Sequence, residues 1–152
     1  MLIKIDNLTA PEVAQLLNEH LQDMYAISPP ESVHALDLEK LRKPEITFWT
    51  VWDGNNLAGC GAIKQLANDH AEIKSMRTAH AYRGKGVAVK IMEHIMVVAG
   101  ERNYQRLSLE TGPQDFFTPA RKLYERFGFE YCGPFGDYGE DPYSTFMTKS
   151  LI

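Results

Sequence analysis

Polar and apolar positions along the chain follow two periods. Val13, Leu16, Leu17, Leu21 and Met24 recur at helical spacing after a short β-type run, Leu2 to Ile5, which predicts a strand followed by an amphipathic helix. Thr9 and Glu12 stand at N-cap and N3 spacing with Pro11 in the first turn, so that helix is expected to open there. It is expected to end near Tyr25, ahead of Ser28, Pro29 and Pro30. Asp37 to Arg42 reads as a second, short helix closed by Pro44. Ile46 to Trp52, Leu57 to Leu66 and Ala71 to Arg77 read as strands, separated by the turn residues Asp53-Gly54-Asn55-Asn56 and Asn68-Asp69. Three strands in succession predict an antiparallel meander.

A second helical stripe, Val87, Ala88, Ile91, Met92, Ile95, Val98 and Ala99, predicts a helix to about Arg102, with Asn103 in a left-handed cap. Leu107 and Leu109 then alternate with Ser108 and Glu110, and this strand–helix–strand order implies a parallel crossover. A last helix opens at or near Pro119 and runs through Phe127. Gly128 ends it before a strand, Phe129 to Cys132, a loop, Gly133 to Tyr143, and a final strand, Ser144 to Lys149. No repeat, linker or low-complexity tract interrupts the pattern, so residues 1–152 are expected to form one domain, a mixed sheet with helices on both faces.

Composition removes several function classes. A formal charge of −4 denies the chain the positive field that supplies most nucleic-acid affinity, so DNA and RNA are not expected as partners. Cys60 and Cys132 lie far apart and outside any CxxC spacing, and no metal site is expected. The first ten residues mix Lys4, Asp6 and Asn7 with apolar ones and lack the apolar run of a signal peptide or membrane span. No membrane association is expected, and a cytoplasmic location follows by default.

The segment richest in chemistry is Arg83-Gly84-Lys85-Gly86-Val87-Ala88, between a strand and an apolar helix. Free amides at a helix start, with the positive end of its dipole, seat a phosphate, and glycines let the backbone come close. Lys85 and Arg83 would add charge. On spacing alone an ordinary surface turn is the better reading. A Rossmann fingerprint would need a small residue where Val89 stands, and a Walker loop would need Gly-Lys-Ser/Thr; neither is present.

The run Arg83 to Ala88 resembles the Arg/Gln-x-x-Gly-x-Gly/Ala signature of the GCN5-related N-acetyltransferase (GNAT) family, with Arg83, Gly86 and Ala88 on its defined positions. Ala71 to Arg77 resembles that family's fourth strand, and Ala120 to Phe129 its Ala-x-x-Leu-Tyr-x-x-x-Gly-Phe helix. The resemblance implies an α/β (α+β) GNAT fold: one mixed, mostly antiparallel twisted sheet of six to seven strands, flanked by about four helices, with splayed central parallel strands. It implies acetyl-CoA as acyl donor. The pyrophosphate would sit on Arg83, Gly84, Lys85, Gly86, Val87 and Ala88, and the backbone of Met76 and Arg77 would hold the pantetheine arm. Tyr124 falls on the position of a tyrosine that protonates the departing thiolate; packing behind Phe127 and Phe129 is the competing reading. A phenol of pKa about 10 is a weaker acid than a thiol near 8.5, so hydrogen-bonding the thiolate is its larger expected contribution.

An amine of pKa about 10.4 is mostly protonated at neutral pH, so its proton needs a route. Glu72 is the candidate on the fourth strand, where several relatives place such a glutamate, although a solvent-facing carboxylate paired to Lys74 fits the sequence equally well. A bulge in that strand would defeat any reading of facing from alternation. Many relatives carry an Asn where Phe117 stands; Thr111 is the candidate polar substitute toward the coenzyme arm. Two loops, Tyr25 to His34 and Gly133 to Tyr143, are expected to shape the acceptor pocket, with Tyr25, Glu31, His34 and Tyr138 as candidate contacts. The expected reaction is direct acetyl transfer to a primary amine in a ternary complex, first on a small-molecule amine. A lysine or N-terminal amine of a protein or peptide stands second, and a non-catalytic coenzyme-binding module third. Relatives are often dimers, which leaves a homodimer open.

Overall fold

The computed structural model describes residues 1–152. Its strands are β1 (Leu2–Ile5), β2 (Ile46–Asp53), β3 (Asn56–Ala67), β4 (His70–Thr78), β5 (Arg106–Thr111), β6 (Glu130–Cys132) and β7 (Thr145–Ser150), in one sheet of order β1-β2-β3-β4-β5-β7-β6. All neighbours are antiparallel except β4 and β5. Four helices accompany them: α1 (Pro11–Ile27), α2 (Leu38–Leu41), α3 (Val87–Glu101) and α4 (Thr118–Arg126). The architecture is the mixed, mostly antiparallel sheet that the sequence implies. None of the helices is long and apolar enough to cross a membrane.

Strand alternation sorts the core into two layers. Trp49 and Val51 of β2, Ile63 of β3, Ala71 and Ile73 of β4, Leu107 and Leu109 of β5 and Met147 of β7 meet Ile91, Met92, Ile95 and Ala99 of α3 and Leu123 of α4. On the opposite face Phe48, Cys60 and Ala62 meet Val13, Leu16 and Leu17 of α1 and Leu41 of α2. Gly59 and Gly61 let α3 lie close on β3: a Cβ on Gly61 would stand 2.7 Å from Ile91 Cγ2 and from Met76 Sδ.

The expected capping pair Thr9–Glu12 does not form. Ala10 holds the N-cap position of α1 without a side-chain bond. The Thr9 amide and hydroxyl both donate to Asn7 Oδ1, at 3.2 and 2.7 Å, so a local turn has claimed the residue that would have capped the helix. Asp37 does cap α2, accepting from the Lys40 amide at 2.9 Å, and Asn103 (φ 61°) and Gly128 (φ 88°) take the left-handed conformations expected after α3 and α4.

Two irregularities make the site. Pairing of β4 with β5 runs from His70–Arg106 to Ile73–Leu109 and stops, although both strands continue. Within β4, Ser75 adopts φ 56°, and the register against β3 slips between Cys60–Arg77 and Ala62–Lys74. This is a bulge, and it reverses the alternation beyond it. Met76 joins the layer under α3, whereas Arg77 returns to the α1 side and donates from Nη1 to Asp23 Oδ2 at 2.5 Å.

Candidate active site

The amides that open α3 are free. Those of Arg83 and Lys85 bond the carbonyls of His80 and Tyr82, but no hydrogen bond within the protein takes those of Gly84, Gly86, Val87, Ala88 or Val89. Gly84 (φ 75°) and Gly86 (φ 80°) are left-handed, a conformation that bends the chain back over the helix start and that other residues adopt only under strain. Arg83 to Gly86 are exposed. The result is a row of unsatisfied donors at the positive end of a fifteen-residue helix, a ready seat for a phosphate group.

A cleft of about 720 Å³ leads from this turn along the splayed strands, bounded by Arg83, Gly84, Gly86, Val87 and Ala88, by Met76 and Arg77 of β4, and by Phe117, Ala120 and Tyr124 near and on α4. It collects all the expected coenzyme contacts except two. Lys85 turns its ammonium over the Tyr82 ring, 5.5 Å from the centroid, and borders a different hollow. Thr111 lines a second cavity and not the cleft, because β5 runs on past its last pair with β4.

That second cavity is small, about 130 Å³, and meets the cleft at His20 and Met24 of α1, Met76, Phe117, Ala120 and Tyr124, which line both. Tyr124 is packed on Phe129 with ring centroids 6.0 Å apart, as a core tyrosine would be, yet it also borders both spaces. Burial pushes its phenol well above the ordinary value, so it stays protonated and can donate.

The smaller cavity is polar because β4 and β5 present polar residues on the face away from α3. Glu72, 3% exposed, accepts at Oε2 from Lys74 Nζ (3.1 Å) and from the Tyr138 hydroxyl (2.5 Å). The predicted ion pair with Lys74 exists, but it is buried and not solvated. Lys74 Nζ also reaches Tyr138 Oη at 2.7 Å. Burial, followed by the Glu72 charge, pushes the Tyr138 phenol far up. Tyr138 arrives from the loop between β6 and β7, which docks on the sheet through Phe135 and Phe146, with centroids 5.2 to 5.8 Å apart.

Of the four expected acceptor contacts, the fold brings two together. His34 lines the cavity, and Tyr138, which does not border it, sets its ring at a tilt 5.3 Å from the imidazole. Tyr25 is 54% exposed on the far side of α1, and Glu31 is exposed in a 3-10 turn; neither borders the cavity. Two residues, Glu110 and His20, were missed. Glu110 of β5 accepts at Oε2 from Ser144 (2.7 Å) and pairs with His34 Nδ1 at 2.5 Å; its signal was a polar alternate in a central strand. His20 lies on the same stripe as Leu16, Leu17 and Met24. Burial, then the nearby Arg77 charge, lowers its pKa to about 4, and its Nδ1 has no partner. Phe117 lines both spaces where the resemblance had led to an Asn. Neither cysteine suits a nucleophile: burial pushes the Cys60 thiol up to about 12, and Cys132 borders neither space.

Comparison with known proteins agrees with this geometry. The model of the acetyltransferase (GNAT) family matches residues 13–129, which take in the bulged strand, the amide turn and Tyr124. The chain is 62% identical to the uncharacterized N-acetyltransferase YsnE of Bacillus subtilis, over 99% of this chain and 100% of that one. It is 52% identical to the uncharacterized N-acetyltransferase YedL of Escherichia coli, over 98% and 94%. A crystal structure of a putative acyl-CoA N-acyltransferase from Klebsiella pneumoniae superposes with a TM-score of 0.77 at 24% identity, covering 99% of this chain and 97% of that one. With a family match across the site and full-length relatives named for the same activity, the chain belongs to the acetyltransferase (GNAT) family and is an N-acetyltransferase.

Proposed function

We propose that this enzyme transfers the acetyl group of acetyl-CoA to the primary amine of a small molecule, by direct attack in a ternary complex. The observation that carries this reading is the meeting of the two cavities at Met76 and Tyr124. A thioester entering along the cleft and an amine held in the smaller space face each other there, with no intervening nucleophile. Bound acetyl-CoA would supply an activated acyl carbon and a good leaving group. The free amides of Gly84, Gly86, Val87 and Ala88 would hold its diphosphate, through charge-assisted bonds of roughly 1.5 to 3 kcal/mol each. The backbone of Met76 and Arg77, beyond the end of the β4–β5 pairing, would hold its arm. Tyr124 would donate a hydrogen bond to the thiolate as it leaves.

Size and charge favour a compact acceptor. The cavity holds about 130 Å³, is lined by Glu110 and by the Glu72–Lys74 pair, and is walled by residues from both loops and from the approach to β7, among them Ser32, His34, Tyr143 and Ser144. Such a space suits an ammonium group on a small body better than an extended peptide.

Thiol release over a panel of free amines (amino acids, polyamines, amino sugars) and of lysine and N-terminal peptides tests the proposal. Turnover is expected with free amines, and Tyr124→Phe is expected to lower kcat about 10- to 100-fold while coenzyme Kd stays within about threefold. Turnover confined to peptides would replace the acceptor class. Coenzyme binding with no thiol release for any amine would make the chain a binding module.

A further inference from the structure

We propose that His34 is the proton acceptor for the incoming ammonium and that Glu110 is the residue that positions it; the assignment rests on reading the small cavity as the acceptor site. An ammonium cannot attack until it has lost a proton. Glu72, the candidate from sequence, is poorly free to take one, since its Oε2 already holds the Lys74 ammonium and the Tyr138 hydroxyl inside the protein. His34 differs in each respect. Its Nδ1 lies 2.5 Å from Glu110 Oε2, and an ionised carboxylate only accepts, so the proton of the neutral ring sits on Nδ1 and the lone pair on Nε2. No protein group bonds Nε2, and the ring borders the cavity that also holds Tyr124.

The dyad is braced from the segment between β6 and β7. Ser144 donates to the same Glu110 oxygen at 2.7 Å, and the Tyr138 ring stands 5.3 Å from the imidazole. The side chain of His34 is 30% exposed and that of Glu110 15%, so the imidazole can pass its proton on to water. The charged and titratable groups around it are Glu110 from β5, Asp141, Tyr138 and Tyr143 from the late loop, Glu72 and Lys74 from β4, His20 from α1 and Tyr124 from α4.

In the step, one ammonium proton moves to His34 Nε2 and the freed nitrogen pair forms a bond to the thioester carbon. The carbon–sulfur bond breaks with its electrons on sulfur, and the second amine proton leaves with the thiol. The imidazolium then releases the first proton to water. Products are the amide, coenzyme A as its thiol, and one proton.

The test is the pH profile of kcat/KM for an accepted amine in wild type, His34→Gln and Glu110→Gln, with His34→Asn as a second variant and coenzyme Kd as the folding control. Wild type is expected to hold a plateau across about pH 7.5 to 9, below the ordinary titration of an alkyl amine near 10.4. Both His34 variants are expected to lose about 100-fold at pH 7.5 and to rise tenfold per pH unit across that range, because only amine already deprotonated in solution reacts. Glu110→Gln is expected to keep the plateau but lower it at least about tenfold, with coenzyme Kd unchanged within about twofold. A His34→Gln enzyme with the wild-type plateau overturns the assignment while leaving acetyl transfer intact. Failure of wild type to acetylate any amine overturns both.

Discussion

Acid should destabilise this enzyme through His20, and the size of the effect follows from its burial. The imidazole sits on the inner stripe of α1, half-buried, with Nδ1 shut off from solvent and unpartnered and the Arg77 guanidinium nearby. Burial first, and Arg77 second, lower its pKa from 6.5 to about 4, against a smaller opposing pull from Asp23. A group held neutral in the folded state contributes its full stability above pH 6.5. That contribution is lost as pH falls, because the unfolded chain takes up a proton that the native one refuses. Each pH unit is worth about 1.4 kcal/mol, so the loss is about 2 kcal/mol by pH 5 and about 3 kcal/mol by pH 4. His20→Gln, which does not titrate, should escape this component while sharing every carboxylate effect with wild type. Urea unfolding of both proteins at pH 7.5, 6.0 and 5.0 isolates it: the wild-type free energy should fall about 2 kcal/mol further than the variant's between the first and last condition. Parallel losses would refute the claim that the native state holds His20 neutral.

Gly59→Ala should destabilise the fold by about 1 to 3 kcal/mol, because its Cβ would meet the Arg77 carbonyl oxygen and Val87 Cγ1 at 2.8 Å each and force α3 away from β3; an unchanged urea midpoint would contradict this. Lys74→Met should cost about 3 kcal/mol by leaving Glu72 buried without its cation. The double variant Glu72→Gln with Lys74→Met should recover most of that loss, and a double-mutant cycle in urea reads the difference.

The elements were legible where one physical signal dominated. The stripe from Val87 to Ala99 could bury its apolar face only as a helix on the sheet, and it does so through Ile91, Met92 and Ile95. Asn103 and Gly128 stand where a chain leaving a helix needs a left-handed residue, and both adopt it. The amide turn was legible because glycines and a helix start coincide in sequence. Tertiary placement was another matter. Tyr138 lies in a loop whose local sequence gives no direction; its approach to Glu72 depends on Phe135 and Phe146 docking the loop to the sheet. Tyr25 and Glu31 looked equally suitable as binding residues, but rotation along α1 and the 3-10 turn leave both outside the cavity. His20 and Glu110 carried signals that were present and passed over: a histidine on an apolar stripe and an acid alternating with leucines.

The bulge at Ser75 ties the two halves of the site together. Before it, β4 points Glu72 and Lys74 to the polar face, where the late loop and the smaller cavity lie. A regular strand would have sent Met76 to that same face and Arg77 under α3. The extra residue inverts both, so Met76 fills the space beside Gly61 and Ile91 at the wall between cavities, while Arg77 anchors to Asp23 of α1. A non-glycine residue at φ 56° costs on the order of 1 kcal/mol or more. That single bend in a core strand sends successive side chains of one strand to two different spaces, Glu72 and Lys74 to the smaller cavity and Met76 and Arg77 to the cleft.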